Sequence, residues 1–147
     1  MKLKYRKAIF IVAYSIVKEK PKYLIFKRKL HWKGWEIVKG GKEKFELDKT
    51  TAKREIKEET GLRLIKLKKF KEKGQYKYKK ILKDRPGIIG QTYKLFSAEL
   101  KKGKISKKKL NPEHLDYEWM DFDEALKKLT WGNQKKCLKI VNEKLSK

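Results

Sequence analysis

Three glutamates lie close together in a chain that is otherwise strongly basic, and these side chains are the best suited to chemistry. Glu55, Glu58 and Glu59 fall within a segment, Asp48–Thr60, whose pattern predicts a helix. Residues three and four positions apart share one face of a helix, so the three carboxylates should converge. Hard divalent cations such as magnesium bind carboxylate oxygens and would relieve the repulsion between them. Taken alone, the cluster fits a solvated acidic face paired with nearby lysines better than a metal site.

The residues on either side of the glutamates fill a longer pattern. From Gly40 the chain reads GGKEKFELDKTTAKREIKEETGL, which fits G-x5-E-x7-R-E-U-x-E-E-x-G-U, where U is a bulky aliphatic residue. The nine defined positions are filled by Gly40, Glu46, Arg54, Glu55, Ile56, Glu58, Glu59, Gly61 and Leu62. Such a pattern over 23 residues rarely arises by chance. The segment closely resembles the signature of the Nudix hydrolases.

The resemblance implies a reaction, a cofactor and a role for each signature residue. Nudix enzymes hydrolyse a nucleoside diphosphate linked to another group, using Mg²⁺ or Mn²⁺ held by this loop and helix. The metal-binding positions correspond here to Gly40 (through its carbonyl oxygen), Glu55, Glu58 and Glu59. The positions that shape the loop and helix correspond to Glu46, Arg54 and Gly61. The general base differs between subfamilies, and Glu58 is the first choice for it here.

Two further segments resemble one branch of the family, the diadenosine-polyphosphate hydrolases. Residues 35–40 look like its W-x-x-P-K-G sequence, and residues 113–119 look like its E-H-x-x-Y-x-W sequence. By this likeness Glu113 is a carboxylate supplied from outside the helix, either as a further metal ligand or as the catalytic base. The alternative for Glu113 is an ordinary acidic loop residue close to the start of a helix.

The same branch suggests three substrate-binding residues. Lys39 stands beside the glycines, where an ammonium group can contact a phosphate. Tyr76 and Trp131 occupy positions where relatives place aromatic rings, and such a pair can stack on either side of a nucleobase. The alternative for both rings is that they fill the hydrophobic core.

The chain departs from that branch at two positions. Val38 stands where a proline usually precedes Lys-Gly, and Phe45 stands before Glu46 where a glycine is common. Neither is a signature position. Both bear on the shape of the loop that receives the substrate, and therefore on the choice of substrate.

The elements around the signature alternate between strands and helices. Runs rich in β-branched and aromatic residues predict strands at 7–14, 23–29, 62–70, 75–82, 91–100 and 117–121. Helices are predicted at 48–60, 123–129 and 133–144. For the first helix, Asp48 can cap the start and Gly61 suits the left-handed position after the end, while Gly40-Gly41 reads as a turn. The pattern predicts a single domain over 1–147, of the α/β (α+β) class, with the Nudix fold's mixed sheet between helices.

The charge of the chain widens the range of partners. There are 43 Lys and Arg against 18 Asp and Glu, a formal charge of +25, which attracts nucleic acid, anionic lipid or polyphosphate. Only five of the basic residues are arginine. The lysines are scattered and no nucleic-acid-binding motif accompanies them, so RNA is an optional partner, and a lysine-rich surface suited to high temperature is the alternative.

Two negative observations narrow the class of protein. A single cysteine, Cys137, excludes an internal disulfide and a cysteine-based zinc cluster. The longest uncharged run, residues 8–17, is too short to cross a membrane and lacks a cleavage site for a secretory signal. The sequence therefore predicts a cytoplasmic protein with no membrane partner.

Three functions are the main candidates at this point, and hydrolysis of oxidised nucleotides or of ADP-ribose also remains open. The first is hydrolysis of a dinucleoside polyphosphate such as diadenosine tetraphosphate, to ATP and AMP. The second is removal of pyrophosphate from the 5′-triphosphate end of RNA, which the positive charge favours slightly. The third is a Nudix-fold protein that only binds nucleotides or nucleic acid, which the intact glutamate cluster disfavours. The sequence leaves the oligomeric state open.

Overall fold

The computed structural model describes residues 3–29, 33–80, 83–106 and 114–147 of the chain. Within these ranges there are seven strands and three helices. The strands are β1 (Lys4–Val17), β2 (Lys20–Arg28), β3 (Gly34–Glu36), β4 (Val38–Gly41), β5 (Leu64–Lys77), β6 (Ile88–Leu100) and β7 (His114–Met120). The helices are α1 (Asp48–Thr60), α2 (Phe122–Lys128) and α3 (Gly132–Leu145).

The strands form one mixed sheet. Its main order is β3-β2-β1-β6-β5, with β4 paired to β1 and β7 paired to β2. The β1–β6 pair is parallel and the other pairs are antiparallel. The expectation of a mixed sheet is thereby confirmed.

Strand β1 lies at the centre because both of its faces are apolar. Phe10, Val12 and Tyr14 pack on one side of the sheet, towards α2 and α3. Ile9 and Ile11 pack on the other side, towards α1. Alternate residues of a strand point to opposite faces, so an uninterrupted apolar run is suited to a strand that is covered on both sides. The sheet is sandwiched between helices, as the sequence predicted.

The helices contribute apolar stripes to these two cores. Ala52 and Ile56 of α1 are buried against one face of the sheet. Cys137, Leu138 and Val141 of α3 are buried against the other. None of the described helices has the length and apolar character needed to cross a membrane.

The prediction of two strands at 62–70 and 75–82 is wrong. One strand, β5, runs through the charged segment between them and ends at Lys77. It pairs with β6 through register shifts between Leu64 and Lys66 and between Lys69 and Lys73, which accommodate the extra residues. An edge strand tolerates lysines because one of its sides is left to water, and such lysines hinder pairing with other chains.

Two local predictions around α1 are also wrong, and a third is confirmed. Gly40 and Gly41 lie in strand β4, opposite Ile9 and Ala8 of β1, and do not form a turn. Asp48 is the first residue of α1; the N-cap is Leu47, and no side chain caps the helix. Gly61 does terminate α1, with a φ of 67° and its N–H donated to the carbonyl of Lys57.

Asp48 is drawn away from capping by three lysines. Its carboxylate binds Lys69 at 2.9 Å, Lys94 at 3.0 Å and Lys42 at 3.1 Å. Burial by itself raises the pKa of Asp48, but these hydrogen bonds outweigh it and hold the pKa below its usual range. The residue ties the start of α1 to β5 and β6.

Candidate active site

A cleft of about 200 Å³ lies where α1 meets the ends of the central strands. One wall consists of carboxylates on α1, namely Glu55, Glu58 and Glu59. The backbone of β4 contributes Gly40 and Gly41. The cleft is also lined by positive side chains from three strands and one connecting segment, namely Arg6, Arg28, Lys39 and Arg85. The structure thus brings the predicted metal-binding residues and Lys39 to one cleft.

The three glutamates of α1 differ in their exposure. Glu55 and Glu59 are buried, at 8% and 7% exposure, whereas the Glu58 side chain is 58% exposed. The difference follows from the buried stripe of Ala52 and Ile56, which seats one side of the helix on the sheet. Burial raises the pKa of Glu55 above its usual range, although neighbouring Arg54 opposes this effect.

Arg54 joins the loop before α1 to the helix. Its Nε donates to Glu46 Oε2 at 2.8 Å, and its Nη2 donates to Glu46 Oε1 and to the carbonyl of Gly41, both at 2.9 Å. Glu46 Oε1 also accepts from the Glu43 N–H and from the Thr51 hydroxyl. The bonds from Arg54, followed by that from Glu43, lower the pKa of Glu46 to about 2. These contacts suit a structural role for the pair.

The third nitrogen of Arg54 reaches the acidic wall. Its Nη1 donates to Glu55 Oε1 at 2.8 Å and to Glu58 Oε2 at 3.2 Å. A guanidinium between two carboxylates offsets the repulsion that the sequence spacing creates. Glu55 and Glu58 are therefore held in place by an arginine of their own helix.

Glycine at position 40 makes room for the close approach of the Glu55 side chain. A Cβ on Gly40 would overlap the carboxylate of Glu55, and a Cβ on Gly41 would overlap the guanidinium of Arg6. The two glycines thus leave room for one acidic and one basic side chain directly against the backbone of β4. This close approach, rather than a turn, is the physical reason for the Gly-Gly pair.

The donor set suits a hard divalent cation. Carboxylate and carbonyl oxygens are the ligands that Mg²⁺ and Mn²⁺ prefer, and the missing Cβ at Gly40 leaves its backbone accessible from the side of Glu55. In the part of the chain that the structure describes, no three His, Cys, Asp or Glu side chains stand close enough together to hold a metal ion. The exposed Glu58 is the member with the freedom to turn towards the others.

The remaining predicted residues lie around the cleft or outside the residues that the structure describes. Tyr76, on β5, donates its hydroxyl to Gln91 Oε1 at 2.5 Å, and Gln91 lines the cleft. Burial raises the pKa of Tyr76, so this hydroxyl stays protonated and remains a donor. Trp131 is half-buried and immediately precedes α3. Neither ring is among the described residues that line the cleft. Glu113 lies outside the described residues.

Three arginines of the cleft were not singled out by the sequence analysis. Arg6, Arg28 and Arg85 come from distant positions and belong to no motif. The sequence signal for these arginines was compositional, because arginine is scarce in this lysine-rich chain.

The fold and the site agree with the family comparison. The chain matches the NUDIX domain over residues 4–139 and belongs to the Nudix family. No curated protein sequence matches it.

Solved structures of the same fold belong to proteins that are linked to different phosphate compounds. A binary complex of the C. elegans Ap4A hydrolase has a TM-score of 0.75 at 22% identity, covering 96% of this chain and 98% of that one. The E. coli dihydroneopterin triphosphate pyrophosphohydrolase has a TM-score of 0.74 at 22% identity, covering 95% and 97%. The NUDIX domain of Shewanella oneidensis NrtR, complexed with ADP ribose, has a TM-score of 0.75 at 12% identity, covering 97% and 89%. At these identities the likeness shows the fold.

Proposed function

We propose that this chain hydrolyses a phosphoanhydride bond in a dinucleoside polyphosphate, cleaving diadenosine tetraphosphate to ATP and AMP. The observation that carries the proposal is the cleft, which three carboxylates of α1 line together with the positive side chains of Arg6, Arg28, Lys39 and Arg85. Cleavage of a phosphate chain needs its negative charge neutralised, and it needs a positioned water and a base. The acidic residues and the basic residues of the cleft divide these tasks between them.

The acidic wall is the metal-binding and proton-accepting side. Glu55, Glu58 and Glu59, with the carbonyl oxygen of Gly40, would hold Mg²⁺ or Mn²⁺, which neutralises phosphate charge and makes water a better nucleophile. Arg54 holds Glu55 and Glu58 near each other before the substrate binds. Glu58 is the proposed base because it is the glutamate most open to water, and Glu113 is the second candidate.

The basic residues of the cleft, with two aromatic side chains nearby in the chain's fold, would orient the nucleotide. Lys39 contacts the buried Glu36 at 3.6 Å and faces the same cleft as the glutamates, so its ammonium group can approach a phosphate. Tyr76 and Trp131 are proposed to stack on an adenine. Tyr76 is already braced by its hydrogen bond to Gln91, which limits the entropy lost when a base stacks on the ring.

Two of the structural relatives are consistent with a substrate that has a long phosphate chain. One is described as an Ap4A hydrolase and another as a dihydroneopterin triphosphate pyrophosphohydrolase. A third relative is complexed with ADP ribose, a diphosphate, so the phosphate number is the property to test.

Removal of pyrophosphate from the 5′-triphosphate end of RNA is a second candidate function. A specific observation favours it: a cavity of about 430 Å³ on β5 and β6 is lined by Lys69, Lys71, Lys73 and Lys94, with Phe70 and Glu72. Such a surface suits the backbone of a long polyanion better than a dinucleotide.

The first experiment measures Mg²⁺-dependent hydrolysis of diadenosine tetraphosphate, with products separated by ion exchange. We expect ATP and AMP, with Glu58→Gln and Glu59→Gln each reducing the rate by at least a hundredfold. Glu143→Gln is the matched control, because it removes an exposed glutamate from α3, far from the cleft in the fold.

Three other outcomes would contradict the proposal. Turnover that survives in the Glu58 and Glu59 variants would remove the metal assignment. Turnover of triphosphorylated RNA alone would favour the second candidate. Binding of both nucleotides without turnover of either would indicate a protein that only binds them.

A further inference from the structure

A second cavity lies on strands β5 and β6, apart from the cleft that holds the signature glutamates. Its volume of about 430 Å³ is in the range of small-molecule sites, and the described residues that line it differ from those that line the cleft. Four lysines, one glutamate and one phenylalanine surround it, namely Lys69, Phe70, Lys71, Glu72, Lys73 and Lys94. We call it the lysine-lined cavity. The excess of positive charge suits an anionic ligand.

A bulge in strand β5 forms the cavity. Lys69 pairs with Phe96 of β6 and Lys73 pairs with Lys94, so four steps along β5 match only two along β6. The extra residues are pushed out of the ladder between the strands. Phe96 and Lys94 are two residues apart, so their partners Lys69 and Lys73 lie on the same face of the sheet. The bulge therefore gathers lysines around a hollow.

The bulge is anchored on both faces of the sheet. Phe70 packs against the core that α2 and α3 cover. Glu72 Oε1 lies 3.8 Å from Lys136 Nζ of α3, so the acid of the cavity faces a lysine of its own. On the other face, Lys69 binds Asp48 at the start of α1. These contacts fix the shape of the bulge, and the cavity is a built feature of the fold.

An anion of the protein already binds two of the cavity lysines. Asp48 Oδ2 lies 2.9 Å from Lys69 Nζ and 3.0 Å from Lys94 Nζ. Asp48 Oδ1 lies 3.1 Å from Lys42, which does not line the cavity. Lys71 and Lys73 form no ion pair with any residue that the structure describes. Asp48 thus shows where a negative group can bind, and it leaves half of the cavity lysines to another anion.

We propose that the lysine-lined cavity is a second binding site for a chain of phosphate groups, and that the bound chain displaces Asp48 from Lys69 and Lys94. A phosphate chain carries several charges and can contact all four lysines, whereas Asp48 carries one charge and reaches two of them. Ammonium groups act as point charges, which suits a ligand recognised by its charge along a chain. The contact with Lys42 remains to hold the displaced Asp48.

This site goes beyond the proposed function, because it does not depend on the reaction in the cleft. On β6, Gln91 lines the cleft and Lys94 lines the cavity. The two residues are three positions apart, which is roughly 10 Å along a strand, and an odd separation places their side chains on opposite faces of the sheet. The cavity is therefore a separate site and not an extension of the cleft along one face.

Binding measurements without hydrolysis test the site. The probes are inorganic polyphosphate and a single-stranded oligouridine with a 5′-hydroxyl end, both fluorescently labelled. Each is titrated into the metal-free full chain at about 150 mM salt, where distant charges are screened. Polyphosphate offers phosphates alone and oligouridine offers phosphodiesters with bases, so the two probes distinguish two sources of a phosphate chain. Fluorescence anisotropy measures the affinity.

The first pair of variants removes lysines in or far from the cavity. Lys71→Gln with Lys73→Gln takes two exposed lysines from the cavity. Lys18→Gln with Lys20→Gln takes two exposed lysines from the β1–β2 hairpin and is the matched control, because it lowers the net charge equally. We expect the cavity variant to bind at least one probe about tenfold more weakly, since it loses two phosphate contacts. The hairpin variant should change the affinity by less than about twofold.

The second pair of variants removes an acid. Asp48→Asn should tighten binding of the same probe about fivefold, because the competing carboxylate is gone. Glu19→Gln adds the same charge in the hairpin and should leave the affinity unchanged. Lys94 stands opposite Ile9 of β1 and the hairpin turn follows Val17, so the two places lie roughly 27 Å apart along the strand. Asp48→Ser is the second variant, since serine removes the charge and suits the start of a helix.

The outcomes separate the parts of the proposal. A response of oligouridine alone identifies nucleic acid as the ligand, and a response of polyphosphate alone identifies free polyphosphate. The site is overturned if the two lysine variants bind both probes alike. Displacement of Asp48 is overturned if its variants bind no more tightly than Glu19→Gln. Failure to cleave diadenosine tetraphosphate would end the proposed function and leave this site standing, and loss of the site would leave that cleavage untouched.

Discussion

In the loop before α1, Phe45 occupies a backbone conformation that favours glycine. Phe45 has a φ of 67°, a left-handed conformation that side chains with a Cβ disfavour, and it is 93% exposed. Its neighbour Glu46 makes the bidentate contact to Arg54 that fixes the loop. The strained backbone at 45 is therefore maintained by the bonds at 46.

The first prediction concerns that strain. Phe45→Gly should raise the free energy of unfolding by about 1 kcal/mol, because glycine adopts a positive φ without the Cβ penalty. Urea unfolding at neutral pH measures the change. Phe45→Ala keeps the Cβ and removes the ring with its contact to Lys44, so it should show no such gain. Equal gains in the two variants would locate the effect in the exposed ring.

The second prediction concerns the pH dependence of the Glu46–Arg54 contact. The pKa of Glu46 is about 2 in the folded chain against an ordinary value of 4.5. A lowered folded pKa contributes stability that is fully present above pH 4.5 and is lost as the pH falls towards 2. Glu46→Gln should therefore be less stable than the unaltered protein at pH 7, with the difference shrinking on acidification. Unfolding titrations across this range measure it, and a difference that does not change with pH would contradict the assignment.

At the level of elements, the Glu55 side chain of helix α1 lies directly against the backbone of strand β4. Gly40 permits this, because its missing Cβ is replaced by the carboxylate of Glu55. The pairing of Gly40 with Ile9 of β1 then places the helix over the centre of the sheet. The position of the Glu55 carboxylate thus depends on Gly40, a residue without a side chain.

The third prediction follows from this close approach. Gly40→Ala should reduce the rate of diadenosine tetraphosphate hydrolysis by about a hundredfold, because the added Cβ displaces the carboxylate of Glu55 from the position it needs for catalysis. Gly132→Ala is the control, since a Cβ there meets nothing within 4 Å. Steady-state kinetics and melting temperatures of both variants measure the effect. A normal rate in Gly40→Ala would show that Glu55 need not lie against β4.

At the level of the whole molecule, the formal charge of +25 sets a background attraction for every anion. The lysine-lined cavity on β5 and β6 is one concentration of that charge. Asp48 neutralises part of it by binding Lys69 and Lys94 of the same cavity wall. Anion binding that depends only on the net charge should respond to salt differently from binding that depends on the lysine-lined cavity.

The fourth prediction separates the two. Binding of unstructured single-stranded RNA should weaken steeply as salt rises from about 50 mM to about 200 mM, because each neutralised phosphate releases counterions. Fluorescence anisotropy measures it. Lys71→Glu with Lys73→Glu should flatten the salt dependence, whereas Lys18→Glu with Lys22→Glu at the β1–β2 hairpin should have less effect. Equal effects of the two pairs would show that the charge acts without a preferred surface.

The sequence by itself determined the family, the position and end of α1, the mixed sheet between helices, and the three glutamates of α1 that line the cleft. These are properties of contiguous residues: the signature spans 23 positions, and a helical repeat brings its carboxylates together without help from the rest of the chain. The apolar run of β1 likewise indicates a strand covered on both faces.

Only the tertiary structure decided which glutamates are buried, that Gly40 makes room for Glu55, and that β5 continues through a lysine-rich segment. Each depends on a partner far away in sequence: the sheet beneath α1, the carboxylate of Glu55, and strand β6. The meeting of Arg6, Arg28 and Arg85 is of the same kind. No local pattern encodes it, because three isolated residues become neighbours only after the strands that carry them have paired.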